Sequence, residues 1–433
     1  MEENLMTEKK ESKLSASKLL FLACWLVYGC AYIARVNYST AVNSMKALGL
    51  VSPSTAGIIS SVYFVCYAVG QLINGAIADK RSPFIMVVIG VSIIALANCA
   101  MFLLPSPPAL LVVWWGINGL GQSMLWSPVF FIISNVLNDK IRFFAVTMIS
   151  LTTPIGKISG YFLSGFSLSQ GGWKGVFVMG TLVMAVMLIL WVSVWLSVRK
   201  NIFIRRGDQT KPQETSSPKE KKKVLPLLVV SGVIIAFPAL IVHGLFLNGI
   251  SEWIPSVLQN NYGLSDSASS YLTMIVPAVG VTGVFFSNFI YRKFKRDEMK
   301  SGTLVMALNF LPVALILLLT LVPGGLLGKT GDAVLFTISY GVIYILQLAF
   351  GHILISLVPL RFSSIGLAAT LTGLTNAINY GGSAISTYGM SLAVEYMPMY
   401  GMVLIWLGCL VFATVFLTIS SLKWKNFIKK DNE

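Results

Sequence analysis

Charge is what this sequence has least of: 11% of its 433 residues are Asp, Glu, Lys or Arg, against about 25% in a soluble domain. Acidic residues number 17 and histidines two, so a carboxylate-rich catalytic centre or a His-rich metal site has little to draw on. The five cysteines, Cys24, Cys30, Cys66, Cys99 and Cys409, all fall in apolar stretches without CxxC or Cys/His spacing, and read as small packing residues with no disulfide framework. There is no P-loop lysine motif, no GxSxG elbow and no HExxH. An ATP-driven pump and the common hydrolase chemistries are thereby excluded, and the expectation is a protein that is not an enzyme and holds no cofactor or metal.

What is abundant is apolar surface. Hydrophobic residues make up 55% of the chain and the mean hydropathy is +0.77. Twelve runs can be read at roughly 18–44, 55–78, 84–104, 109–136, 142–168, 172–198, 225–259, 266–291, 300–322, 332–358, 363–391 and 398–422, each long enough to cross a hydrocarbon core about 30 Å thick. With no water there to satisfy backbone groups, each must be a helix. The predicted fold class is an all-α membrane protein, twelve transmembrane helices in two six-helix pseudo-symmetric bundles, with the lipid bilayer as its surroundings and a monomer as its expected state. No secretory signal is expected, because the polar start "MEENLMTEKKESKLSASK" leads into a run too long and too polar in its middle for one.

The net charge of +15 is explained by topology rather than by nucleic acid. The termini and the connections on their side carry 27 Lys and Arg, while the opposite side carries three, Lys46, Lys174 and Lys329. The positive-inside rule therefore puts both termini and the central loop in the cytoplasm of a protein in the cell membrane. That central loop, residues 199–224, is rich in Lys, Pro, Ser and Thr and reads as a linker. The expected organisation is a cytoplasmic tail over 1–17, a bundle over 18–198, the linker, a second bundle over 225–423 and a tail over 424–433. Weak echoes between the halves, "GAIADKRSP" after the second run and "SNFIYRKFKRDE" after the eighth, suggest duplication, the architecture in which repeats enclose a site near the bilayer midplane. Gly156 and Gly160, a small-residue pair at one-turn spacing, are expected where the two halves touch.

Within the apolar runs lie polar stripes. On a continuous helix Tyr32, Arg35 and Ser39 fall within about 40° of Tyr28, so two phenols, a guanidinium and a hydroxyl share a face. Arg at a helix centre costs about 2.5–3.5 kcal/mol to insert, so that face must look at a cavity or a partner, as an anion ligand or as a structural cap. Tyr63, Tyr67, Gln71 and Asn74 repeat the pattern in run 2, Asn118, Gln122 and Trp126 in run 4, Tyr340, Tyr344, Gln347 and Gly351 in run 10, and Thr372, Asn376, Asn379 and Ser383 in run 11. One stripe is readily interhelical glue, whereas several in one bundle imply a shared water-filled cavity. Asn248 adds a further amide in run 7. Lys157 and Glu252 are the other clear intramembrane charges; they read either as a structural pair or as an anion-assisting cation and a proton-carrying carboxylate. His243 and His352 read as satisfied structural histidines.

The twelve runs, the central linker and the stretch "GAIADKRSP" together resemble the major facilitator superfamily, whose motif after helix 2 is matched by Gly75, Asp79, Lys80 and Arg81. The resemblance implies that these residues latch the cytoplasmic ends of the halves. Within that superfamily the chain is most similar to the organophosphate:inorganic phosphate antiporters, in "YGCAYIARVNYS", "GLGQSMLWSPV", "NGISEWIPSVL" and "GLTNAINYGGS". That likeness implies a phosphate-binding Arg on helix 1, matched by Arg35 with Tyr28 and Tyr32, and a helix 2 tyrosine, matched by Tyr67. Departures from the pattern put Leu247 where a second Arg is expected, Gln71 in place of a Lys, and Thr153 near a His position, with Lys157 one turn later.

The expected function is secondary active transport of a small organic anion, a sugar or polyol phosphate or a related carboxylate or sulfonate, by alternating access. Arg35 would hold the anionic group with help from Lys157; the tyrosines, Gln71, Gln122, Asn376 and Asn379 would read hydroxyls; and phosphate exchange or proton coupling would drive the cycle. Two rivals are a membrane sensor signalling to a partner kinase and a proton-driven exporter of lipophilic compounds. Two cations give a cavity of the wrong sign for cationic export substrates.

Overall fold

The computed structural model describes residues 2–78, 82–133, 137, 141, 144–145, 148–149, 151–199, 224–322, 325–362 and 368–431. Every regular element among them is helical. The spans are α1 (Leu14–Ala47, with helical turns running back to Glu2), α2 (Pro53–Ala78), α3 (Pro83–Leu103) and α4 (Pro108–Phe131). The stretch Thr152–Val198 holds two spans, α5 and α6, parted at Gly172, whose φ of 57° no β-carbon would tolerate well. Then come α7 (Val233–Tyr262), α8 (Asp266–Lys293), α9 (Glu298–Leu321), α10 (Gly328–Arg361), α11 (Ala368–Tyr396) and α12 (Met399–Asp431). These are the twelve that the sequence predicts.

Their ends follow local chemistry. Pro83 and Pro108 open α3 and α4 at positions where a missing N–H costs nothing. Ser265 Oγ accepts from the Ala268 N–H at 3.2 Å and Asp297 Oδ1 from the Lys300 N–H at 3.0 Å, capping α8 and α9. Gly263, at φ 71°, terminates α7 in the left-handed conformation.

The chain divides into two compact units, one built from residues up to Met45 and from Cys66 through α6, the other from Lys46–Val65 together with α7–α12. In the first, Cys24, Val27, Val91, Ile94, Leu125, Val129 and Met184 from α1, α3, α4 and α6 form a buried core. Small residues let its helices cross closely. A β-carbon on Gly90 would come within 2.9 Å of the Gly121 carbonyl oxygen, one on Gly156 would collide with the carbonyl of Gly29, and one on Gly160 would stand 2.5 Å from Val36 Cγ2. Gly156 and Gly160 thus press α5 onto α1 inside one unit, instead of joining the two halves as their motif suggested: small-residue spacing marks a close crossing without naming the partner helix.

In the second unit Lys46–Val65 lies along α11. Ser61 Oγ donates to Ala384 O at 2.7 Å, Ser391 donates to the Pro53 carbonyl, Lys46 Nζ pairs with Glu395 Oε2 at 2.8 Å, and a β-carbon on Gly57 would come within 2.6 Å of Ser391 Oγ. The segment is therefore bound by backbone contact and a partly exposed ion pair. Both α7 and α10 are widened by one π-helical stretch, at Leu245–Ile250 and His352–Leu357. Such widening frees carbonyls that other side chains must satisfy.

Candidate functional site

The first unit gathers most of the predicted residues around a break in α1. Helix stops at Ala31 and resumes at Ile33, with Tyr32 between. The Arg35 N–H bonds the Tyr32 carbonyl at 3.2 Å, and the Tyr32 N–H bonds the Gly29 carbonyl at 3.1 Å, in tight three-residue turns. A helical wheel for this segment assumes continuity, so the predicted shared face survives only in part: Tyr28 and Tyr32 still meet, hydroxyl to hydroxyl, at 3.3 Å. Ser39 does not join them; its hydroxyl is turned back onto the Val36 carbonyl at 2.7 Å.

Arg35 is 9% exposed. Its guanidinium carbon lies 5.5 Å from the centre of the Tyr32 ring and 5.2 Å from that of Tyr67, so aromatic faces flank the charge. Each such contact is worth about 0.5–2 kcal/mol depending on desolvation. Tyr67 OH accepts from Gln71 Nε2 at 2.9 Å, one turn along α2. Trp126 packs its ring 5.1 Å from that of Tyr28. On α5, Thr153 donates to Tyr32 OH at 3.0 Å, extending the hydroxyl chain across three residues, and Lys157 follows one turn later, 8% exposed. Tyr28, Tyr32, Arg35, Tyr67, Gln71 and Trp126 thus form one connected cluster.

Two amides of α4 have another task. Gln122 Nε2 donates to the Ala31 carbonyl at 2.8 Å and Asn118 Nδ2 to the Ala34 carbonyl at 3.0 Å, on either side of the break. Asn98 on α3 also reaches this region, accepting from Asn37 Nδ2 at 2.7 Å and donating to Ile94 O at 2.9 Å. Sequence reasoning passed over Asn37 and Asn98; the one signal was an amide alone in an apolar run. Thr153 was singled out only as a departure from a family pattern.

The second unit holds the rest in two groups. Asn248 Nδ2, in the π-helical stretch of α7, donates to Ser383 Oγ at 3.1 Å, and Ser383 donates on to the Gly244 and Asn379 carbonyls at 3.1 and 3.0 Å. Asn379 is 4% exposed, and its Oδ1 has no hydrogen-bond partner among the described residues; Asn376, one turn before it, is half-buried. Gln347 belongs to a different network: its Oε1 meets His243 Nδ1 at 3.0 Å and its Nε2 donates to Asn309 Oδ1 at 3.2 Å, with all three residues within 1% of complete burial. Tyr344 is buried against Gly280 of α8, where a β-carbon would come within 2.7 Å of its ring. Tyr340 donates to the Phe246 carbonyl, within the π-helical stretch of α7, at 2.5 Å. Glu252 accepts from Ser60 Oγ at 3.2 Å. Lys157 and Glu252, read as one possible pair, fall in different units. Of the predicted latch, Gly75 lies in α2, and Asp79, Lys80 and Arg81 lie outside the described residues. Among the described residues no group of three His, Cys, Asp or Glu is placed to hold a metal ion.

The chain is 20% identical over 418 residues to the "Probable hexose phosphate transport protein" of Chlamydia trachomatis, an alignment covering 92% of this chain and 89% of the relative. It is 24% identical to the "Hexuronate transporter" of Bacillus subtilis over 300 residues, 66% of this chain and 67% of the relative. Among solved structures, a bacterial homologue of the human lysosomal transporter Spinster superposes with a TM-score of 0.69 at 15% identity, over 95% of this chain and 98% of that one. The pattern of the Major Facilitator Superfamily matches residues 24–387. A helical membrane chain with an arginine held between tyrosines in a broken first span, related over nearly its whole length to transporters, belongs to the Major Facilitator Superfamily.

Proposed function

We propose that this transporter moves a small organic anion carrying hydroxyl groups, a sugar or polyol phosphate or a sugar acid, by alternating access, with Arg35 as the anion anchor. The observation that carries the reading is the Arg35 guanidinium itself, nearly buried in an apolar bundle yet flanked by the Tyr32 and Tyr67 rings. A charge buried among apolar helices is costly, which makes it a functional-site residue by default. The relatives named for hexose phosphate and hexuronate transport point to substrates that share an anionic group and a polyol body.

One guanidinium can grip a carboxylate or phosphate with two parallel N–H···O bonds. Lys157 supplies a second, more mobile cation, and Gln71 and Trp126 read the hydroxyl-bearing body. With Leu247 where a second arginine would stand, the site favours anions whose charge one guanidinium and one ammonium can balance. Glu252, which accepts from Ser60 Oγ, would carry a coupling proton, with phosphate exchange as the other drive. The termini face the cytoplasm by the distribution of Lys and Arg.

Uptake into proteoliposomes tests this. A hexose phosphate and a hexuronate are expected to accumulate with the wild type and to be lost with Arg35→Ala, while Arg35→Lys retains a reduced rate. Transport of either by Arg35→Ala at the wild-type rate would refute the anchor.

A further inference from the structure

We infer that Gln122 and Asn118 of α4 are positioning residues: they hold α1 open at Tyr32 and thereby set the direction of the Arg35 guanidinium. The inference rests on the reading of Arg35 as the anion anchor and concerns what fixes that anchor in place.

In an unbroken helix the Ala31 carbonyl would accept from the N–H four residues on, that of Arg35. Here that N–H turns to the Tyr32 carbonyl, and the Ala31 carbonyl is taken by Gln122 Nε2 at 2.8 Å. Three residues later Asn118 Nδ2 donates to the Ala34 carbonyl at 3.0 Å. Gln122 and Asn118 stand one turn apart on α4, so they address two carbonyls on the side of α1 that faces them. Both are fully or almost fully buried, at 5% and 0% exposure. Tyr32 itself is neither proline nor glycine; Gly29, one turn earlier, opens the tight turn through its carbonyl, and the break still leaves the Ala31 carbonyl in need of a donor from another helix. What makes it stable is the Gln122 donor to the one carbonyl that the break leaves open, because an unsatisfied buried carbonyl in an apolar surrounding is expensive; Asn118 anchors the resumed helix at Ala34, a carbonyl that Asn98 Nδ2 also approaches at 3.5 Å. Closing the break would restore the Arg35 to Ala31 bond and turn every residue beyond Tyr32 about the helix axis. Arg35 would then move relative to the Tyr32 and Tyr67 rings that flank it.

Gln122 therefore acts through the backbone rather than on the ligand. A direct reader of hydroxyls would discriminate between anions; a residue that aims Arg35 affects all of them alike. The test measures dissociation constants by ligand-induced thermal shift of purified full-length protein, using a hexose 6-phosphate, a hexuronate and inorganic phosphate. The variants are Gln122→Met, which keeps length and volume but removes the donor, Asn118→Leu as the independent second break of the same device, and Arg35→Ala. Expected is a weakening by about five- to tenfold, the worth of one buried hydrogen bond, and by the same factor for each anion that the wild type binds. Three outcomes overturn the inference: unchanged affinities with only a lowered melting temperature, which is a packing role; a loss confined to the sugar-bearing anions, which is direct contact; or an effect of Gln122→Met without any from Asn118→Leu. Wild-type affinity in Arg35→Ala, or no binding of any of the three by the wild type, would instead sink the underlying reading.

Discussion

The crossing of α5 over α1 offers the sharpest test of how this site is built. An alanine at Gly156 adds a single β-carbon that would collide with the Gly29 carbonyl oxygen and stand 2.9 Å from Tyr32 Cβ and 3.1 Å from the Gly29 carbonyl carbon. Carbon–carbon contacts settle at about 3.5–4.0 Å, so α5 must withdraw from α1 by roughly 1 Å. Overpacking of this kind costs about 1–3 kcal/mol. The withdrawal also stretches the 3.0 Å bond from Thr153 to Tyr32 OH, one turn before Gly156 on the same helix. Gly156→Ala is therefore expected to melt at lower temperature and to bind its anion more weakly. Gly408→Ala on α12, whose β-carbon would meet nothing within 4 Å, should be neutral or slightly stabilising. Thermal melting of the two variants beside the wild type, with and without a hexose 6-phosphate or hexuronate, reads both effects. If Gly156→Ala melts with the wild type, or Gly408→Ala falls as far as Gly156→Ala, the close crossing does not govern the site.

Two other perturbations probe the second unit. Glu298, 1% exposed, accepts from Arg361 Nε at 2.7 Å, Tyr291 OH at 2.8 Å and Trp424 Nε1 at 3.3 Å; Arg361→Leu should strand its charge and cost about 3 kcal/mol in a denaturation experiment. Adding Glu298→Gln should recover part of that loss, and a double variant less stable than Arg361→Leu would contradict the charge argument. Gln347→Leu leaves His243 and Asn309 each short of a buried partner, for about 1–3 kcal/mol apiece. Its melting temperature is expected to fall clearly, and a melt at the wild-type temperature would show that the network carries no stability.

Much of the fold is legible in the sequence because the bilayer makes it so. An apolar run of sufficient length can only be a helix there, and the twelve predicted runs reappear as helices with shifted ends. The stripe logic was sound where it linked residues one turn apart, as with Tyr28 and Tyr32, or Tyr67 and Gln71. It could not distinguish a polar side chain aimed at a ligand from one aimed at a neighbouring helix. Gln347 shared a stripe with Tyr340 and Tyr344, yet both ends of its amide are bound inside the unit. Gln122 looked like a hydroxyl reader and has its amide nitrogen on a backbone carbonyl of α1.

By itself, then, the sequence determined the number of spans and the arginine on the first helix, since hydropathy and buried charge are properties of local composition, while its motifs carried the resemblance to transporters. Tertiary structure alone decided that α1 breaks at Tyr32, that Gly156 and Gly160 press α5 onto it, and that Lys46–Val65 packs with α11. Those outcomes depend on which helix supplies the donors or the space, and a hydrogen bond between residues 91 positions apart, as from Gln122 to Ala31, has no local signature.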